Sequence, residues 1–325
     1  MLAKRFWLLL VLVVLIAYGV AAQEATPTTA SVTPQDLADP DGHFVEVNGA
    51  SVYYREQGPA AGPVVLLLHG FLGSTDNWNS TLVALAEAGY HTIAFDRPPF
   101  GLSDKNPDLD YTLAGQAALA VGLMDALDIE TAVLVGHSAG GAVSAQVALD
   151  YPERVNKLVL VDAAIGMTKA DSQSVGDNAV WRSFNFLASA DPQSPLLRTA
   201  IRAFFNRAAA RNVIEQSVEN REIMTPEMLD RSLAYLQLPD WEVGLIAFSQ
   251  AADWTKPDLD QLKQVDIPVL IVWGEKDRVV PIAIGERLRD TFPNATWMTY
   301  PATGHIPMLE VRQQFEQDVL AFLAE

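Results

Sequence analysis

Residues 131–150 read Thr131-Ala132-Val133-Leu134-Val135-Gly136-His137-Ser138-Ala139-Gly140-Gly141-Ala142-Val143-Ser144-Ala145-Gln146-Val147-Ala148-Leu149-Asp150. An apolar run of strand length, Thr131 to Val135, stops at a serine framed by glycine, and a helix-like stretch, Gly141 to Asp150, follows. A chain turning this sharply from strand to helix strains the central residue, and side chains at Gly136 and Gly140 would strike neighbouring backbone. The turn lifts the Ser138 hydroxyl above the sheet at a helix N-terminus, where negative charge is favoured. The pentapeptide thus marks Ser138 as a nucleophile, provided the rest of the chain supplies a base, an orienting acid and donors for an oxyanion.

Upstream, Val64 to Leu68 is an unbroken apolar run ending in His69-Gly70-Phe71-Leu72-Gly73. Such a run suits a central parallel strand buried on both faces. His69 and Gly70 belong to the turn that lets backbone approach a substrate. The amide of Phe71 is expected to pair with that of Ala139 as an oxyanion hole.

A serine hydroxyl needs a base, and the chain has five histidines. His305, in Thr303-Gly304-His305-Ile306-Pro307, follows the last expected strand, Ala295 to Tyr300, and is the candidate. His43 leads into the first hairpin, His69 sits in the oxyanion turn, His91 lies in a strand, and His137 is pinned beside the nucleophile. Two aspartates end strands and could orient the base. Asp277 follows the strand Pro268 to Trp273, and Asp162 ends the strand Lys157 to Val161. Asp277 gives the order Ser, Asp, His and is preferred, with Asp162 as the alternative acid.

In these motifs the chain resembles the α/β-hydrolase family from about His43 to the C-terminus. The matching residues are His69-Gly70-Phe71, Asp96-Arg97-Pro98 with Gly101 and Ser103, Gly136-His137-Ser138-Ala139-Gly140-Gly141, Gly274 with Asp277, and Gly304-His305. The resemblance implies a triad of Ser138, Asp277 and His305, acyl-enzyme chemistry on esters or related bonds, and no cofactor. Pro99 departs from the family, which usually has a glycine there, and leaves the shape of that loop open.

The order of elements predicts the same fold. A hairpin, Phe44 to Val47 and Ser51 to Glu56, turns through Asn48-Gly49. Apolar strands follow near residues 64, 91, 132, 157, 268 and 295. Helical stretches separate them: Thr75 to Ala88, Thr112 to Leu127 with Thr112 as N-cap, Ala139 to Leu149, Ile282 to Thr291 and Met308 to Ala324. This alternation predicts an eight-stranded, mostly parallel sheet covered by helices, an α/β fold. The core is expected over residues 43–164 and 268–325. Residues 165–267 break the alternation and read as a helical cap inserted after the sixth strand. Ser194-Pro195 and Thr225-Pro226 there each give an N-cap followed by proline at the first helical position. Trp181, Phe184, Phe186, Phe204, Phe205, Trp241, Phe248 and Trp254 are candidates to line a pocket, although packing of cap on core accounts for most such residues.

Lys4-Arg5 precedes an uncharged apolar stretch, Phe6 to Ala22, so residues 1–22 are expected to be a signal peptide or an N-terminal membrane anchor. Either places the rest of the chain outside the cytoplasm, secreted or anchored. Residues 23–42, rich in Thr, Ala, Pro and Asp, read as a disordered linker. A net charge of −18 argues against nucleic acid and anionic lipid as partners, and the only membrane contact expected is through residues 6–22. With no cysteine there is no disulfide or thiolate site. No His and carboxylate cluster has metal-ligand spacing, so neither metal nor cofactor is expected.

The function these residues point to is a serine hydrolase of carboxylic esters with a small to medium apolar substrate. Two alternatives remain. The same triad could serve a carbon–carbon bond hydrolase or a perhydrolase or haloperoxidase-like enzyme. From another class comes a catalytically silent, membrane-anchored protein that only binds its ligand.

Overall fold

The computed structural model describes residues 32–168, 171, 178–192, 194–253 and 256–325. Residues 33–325 form one compact unit. The expected signal peptide or anchor, most of the expected linker and Trp254 lie outside the described residues. Among the described residues no helix is long and apolar enough to cross a membrane.

The domain begins before residue 43. Thr33 caps a short helix, α1 (Pro34–Leu37), through a reciprocal bond with Asp36. Asp39 then pairs with Arg231 at 2.9 Å and Asp41 with Arg55 at 3.0 Å. Composition hid this segment, because its partners lie far along the chain.

Strands β1 (Gly42–Val47) and β2 (Ala50–Gln57) form the hairpin. Its turn residues Asn48 and Gly49 have φ of 51° and 83°, the left-handed pair that a two-residue hairpin needs. Next come β3 (Val64–Leu68), a 3₁₀ turn (Thr75–Trp78) running into α2 (Asn79–Glu87), β4 (His91–Phe95), α3 (Leu113–Ala126), β5 (Ala132–His137), α4 (Ala139–Asp150) and β6 (Val155–Val161). After the intervening helices, the sheet resumes with β7 (Val269–Gly274), α11 (Ile282–Thr291), β8 (Ala295–Tyr300), α12 (Pro307–Glu310) and α13 (Arg312–Ala324). The sheet has eight strands in the order β1-β2-β4-β3-β5-β6-β7-β8. β2 is antiparallel to β1 and β4, and every pairing from β4 to β8 is parallel.

The runs read as central strands are buried on both faces. Leu66 and Leu68 pack into one core layer, Leu67 into the other. Each such leucine contributes about 1.5–3 kcal/mol when fully buried. The strands end together at one edge of the sheet, which brings the turns after β3, β5, β6 and β7 side by side.

Between β6 and β7 the described residues include α5 (Ala179–Ala188), α6 (Pro195–Phe204), α7 (Arg207–Ser217), α8 (Pro226–Ser232), α9 (Trp241–Ala251) and α10 (Leu259–Leu262). Ser194 and Thr225 cap α6 and α8 as their sequences predict, accepting from Leu197 and Met228 amides at 3.3 and 3.1 Å. Thr112 likewise caps α3, at 3.1 Å from the Gly115 amide. Of the aromatic candidates here, Trp181, Phe184, Trp241 and Phe248 are buried, while Phe186 and Phe204 are partly exposed. Two expected helices differ: the one expected from Thr75 opens as a 3₁₀ turn that reaches Trp78 before α2 begins. The final helix is broken at Val311, whose φ of −127° separates α12 from α13.

Candidate active site

Ser138 is the residue between β5 and α4, with φ 52° and ψ −119°. That conformation costs a non-glycine residue on the order of 1–3 kcal/mol and persists only where the surroundings enforce it. They do so here by hydrogen bonds: the Ser138 amide donates to Val161 O at 2.9 Å, and the Ala164 amide donates to Ser138 O at 3.1 Å. The flanking glycines are required by contact. A Cβ on Gly136 would lie 2.5 Å from Gly140 O, and one on Gly140 would lie 2.3 Å from Leu68 O.

The turn after β3 lies directly against the serine, since a Cβ on Gly70 would come within 2.9 Å of Ser138 Cβ. His69 fixes this turn. Its Nδ1–H donates to Gly70 O at 2.8 Å while Nε2 accepts the Arg97 amide at 2.9 Å. Burial, reinforced by Arg97, holds the His69 pKa well below the usual histidine range, so the ring stays neutral. The Arg97 guanidinium is buried and donates to His69 O at 3.0 and 2.8 Å and to Gln116 Oε1 at 3.0 Å. Burial draws its pKa down to about 9 and leaves it charged at neutral pH. The Phe71 ring stacks on Phe248 at 5.9 Å and meets Phe100 and Phe184 edge-on at 5.8 and 5.6 Å. The Phe71 side chain is therefore fixed among three aromatic rings. Ala139, the first residue of α4, has an N–H with no carbonyl one turn back to bind.

The departure at Pro99 is accommodated by the helix above it. A Cβ on Gly244 of α9 would sit 2.6 Å from Pro99 Cβ, so the proline ring and the bare backbone of α9 fit against each other.

His305 and Asp277 meet. His305 Nδ1 lies 2.7 Å from Asp277 Oδ2, with both side chains buried. The carboxylate fixes the proton on Nδ1 and leaves Nε2 with the lone pair. Asp277 Oδ1 accepts the Val279 and Val280 amides at 2.7 and 3.0 Å. Asp162, the alternative acid, stands beside them. It is fully buried with φ 45°, and its Oδ1 accepts the Gly274 amide at 3.0 Å. Burial, and next the charge of Asp277, push its pKa well above the usual carboxyl range. One carboxylate oxygen from each aspartate and one ring nitrogen of His305 lie within 4.8 Å of one another. Both oxygens of Asp277 are already taken by N–H donors, which makes this a hydrogen-bonded relay rather than a ligand set.

His137 points its Nε2 at His305 O, 2.7 Å away. Burial and the neighbouring His305 lower its pKa well below the histidine range, and its Nε2–H is committed to the His305 carbonyl. His43 and His91 lie in β1 and β4, where His91 Nε2 meets Glu56 at 2.7 Å. Ser138, His305, His137, Gly70 and Phe71 line one cavity of about 770 Å³. Phe204 and Phe205 also face it, with Val213 and Ile214 of α7 and Met228 of α8.

Glu310 escaped the sequence reading. Its Oε1 accepts the Gly304 and Ile306 amides on either side of His305, at 3.0 and 3.4 Å. Its Oε2 accepts the Glu219 and Asn220 amides just past α7, at 2.7 and 2.9 Å. The His305 amide itself donates to Ser217 O at 2.7 Å. The Asp277 loop is tied to the same helical segment by Trp181 Nε1 to Val279 O at 2.8 Å. His305 and Asp277 are therefore positioned by the helices that line the cavity. Glu310→Ala leaves four amides without their acceptor and is expected to lower turnover about 10–100-fold, against about 1–3 kcal/mol of stability. Steady-state rates beside a thermal melt check this, and an unchanged rate in a destabilised protein would assign Glu310 to stability alone.

The model of the alpha/beta hydrolase fold matches residues 63–310, and the chain belongs to that family. An uncharacterized hydrolase, YugF, of Bacillus subtilis is 28% identical over 279 residues, 85% of this chain and 96% of that protein. A 2-hydroxy-6-oxononadienedioate/2-hydroxy-6-oxononatrienedioate hydrolase of Paraburkholderia phymatum is 32% identical over 278 residues, 84% and 91% of the two chains. Among solved structures, a membrane phospholipase A superposes with a TM-score of 0.70 at 26% identity, covering 99% of this chain and 98% of that one. These relatives mark the chain as a hydrolase.

Proposed function

We propose that the protein is a serine hydrolase that cleaves carboxylic esters of apolar acids or alcohols through an acyl-enzyme, beneath a cap made by the helices between β6 and β7. The observation that carries this reading is a single cavity lined by Ser138, in its strained turn, and by His305, whose Nδ1 is bonded to Asp277. Ser138 Oγ attacks the ester carbonyl carbon while its proton passes to His305 Nε2. The Phe71 and Ala139 N–H groups hold the oxyanion, the imidazolium is stabilised by Asp277, and the proton leaves with the alcohol. Water, deprotonated by His305, then attacks the acyl carbon and frees Ser138.

Ester substrates are favoured by the likeness to a phospholipase A and by the apolar side chains along the cavity. The likeness to the Paraburkholderia hydrolase supports the second reading, cleavage of a carbon–carbon bond beside a carbonyl. A panel of p-nitrophenyl esters from acetate to laurate, run beside a vinylogous 1,5-diketone, separates them. The expected result is turnover of the esters with a preference for an acyl chain longer than acetyl, and none of the diketone. Diketone cleavage with inert esters would transfer the site to the second reading. Binding of the esters without turnover by either class would mark a silent binding protein.

A further inference from the structure

Asp162 is not needed by the mechanism above, yet it is fully buried 115 residues upstream of Asp277 and shares its space. It ends β6 as Asp277 follows β7, and these strands are neighbours in the sheet. Its Oδ1 is held by the Gly274 amide, while its buried Oδ2 receives no N–H or hydroxyl donor and the carboxyl has only that of Asp277 beside it as a side-chain hydrogen-bond partner. Buried oxygens without a donor are uncommon and call for an explanation. The groups within electrostatic reach of Asp162 are Asp277, His305, Glu310 of α12 and the Tyr300 hydroxyl at the end of β8.

We propose that Asp162 is a reserve acid: it rests as a neutral carboxylic acid beside Asp277, and when the charge at residue 277 is removed it ionises to solvent and takes over the orientation of His305. This rests on the functional reading of Ser138 and His305 given above. Two carboxylates this close in a buried site repel each other, which favours the neutral form of the one with fewer hydrogen bonds. Asp277 accepts from two amides and the imidazole, whereas Asp162 accepts from the Gly274 amide alone. With Asp277 gone, its repulsion no longer adds to the burial that raises the Asp162 pKa, and the space its side chain leaves can admit the water that a charged Asp162 needs. A separation of at most 4.8 Å from ring nitrogen to carboxylate is one that a side-chain rotation or a single water in the vacated space spans.

Alanine at position 277 is the appropriate replacement. Asparagine would leave its oxygen on the Val279 and Val280 amides and turn its N–H₂ onto His305 Nδ1, fixing the wrong tautomer. The test compares wild type, Asp162→Asn, Asp277→Ala and the double variant in ester turnover and in the rate of reaction with a fluorophosphonate, from pH 5 to 10. Asp162→Asn is expected to slow the reaction a few-fold, Asp277→Ala about 10–100-fold, and the double variant about 10,000-fold or more, a departure from additivity that marks groups acting as a unit. The pH profile of Asp277→Ala should be displaced upward, because activity then requires Asp162 to be charged, and the displacement should vanish in the double variant.

If Asp277→Ala is as slow as the double variant, or if its profile coincides with that of wild type, Asp162 is not a reserve acid. If Asp277→Ala fails to fold, Asp277→Ser keeps an acceptor for the Val279 and Val280 amides and takes its place in both variants. A wild type inert to the fluorophosphonate would instead overturn the functional reading itself, so the two failures are distinguishable.

Discussion

Ser138→Ala is expected to abolish covalent chemistry and to lower kcat/KM by about a million-fold, leaving at most the rate enhancement that binding and the oxyanion donors supply. The substitution removes one oxygen from a side chain whose backbone is held by bonds to Val161 and Ala164, and those bonds are untouched. The strained φ of 52° is kept equally well by alanine, so the variant should melt within a few degrees of wild type. Ester binding to the cavity should persist, since its apolar lining is unchanged. A Ser138→Ala protein that still turned over esters at more than about one hundredth of the wild-type rate would place the nucleophile elsewhere.

His305→Ala is the second large effect, expected at about 100,000-fold to a million-fold in turnover, because the serine proton then has no acceptor. This variant differs from the first in having a structural cost. The Asp277 carboxylate is buried and loses its imidazole partner, keeping only the Val279 and Val280 amides. Removing one member of a buried hydrogen-bonded pair costs about 1–3 kcal/mol. Added imidazole can enter the vacated space and accept the proton. Partial recovery of turnover by imidazole in His305→Ala, with none in Ser138→Ala, distinguishes loss of the base from loss of the fold. Absence of recovery in a folded variant, together with an unaltered rate, would exclude His305 as the base.

Much of this architecture was legible because it depends on local chemistry. The five apolar residues of β3, the Asn48-Gly49 turn and the caps Thr112, Ser194 and Thr225 each act within a few residues of chain, and each stands where its sequence predicts. Ser138 was legible for the same reason, since the glycines around it are required by contacts of under 3 Å within the turn and with the end of β3. Pairings over long separations were not legible. Glu310 lies in a stretch that reads as continuous helix, and its four amide partners only gather when the end of α7 meets the His305 loop. Arg97 belongs to a recognisable motif, yet nothing local shows that it is buried against the carbonyl of His69. The ambiguity between Asp162 and Asp277 has a physical origin: both end adjacent parallel strands, so the fold delivers both to the same place.

Residues 33–42 show the opposite error, in which composition outweighed pattern. Thr33-x-x-Asp36 is a capping box in miniature, and Asp39 and Asp41 have arginine partners on β2 and α8. A segment rich in Thr, Pro and Asp can thus be ordered by a cap, by hydrogen bonds of Asp39 to the buried Tyr53 and by several ion pairs acting together, each worth at most about 1 kcal/mol.

The most direct measurement is intact mass after treatment of residues 23–325 with a fluorophosphonate, for wild type beside Ser138→Ala and His305→Ala. One adduct on wild type, located on Ser138 and lost in both variants, is the result expected of a serine activated by His305. A folded wild type that gains no adduct, or one whose adduct survives Ser138→Ala, would contradict the assignment of Ser138 as the nucleophile.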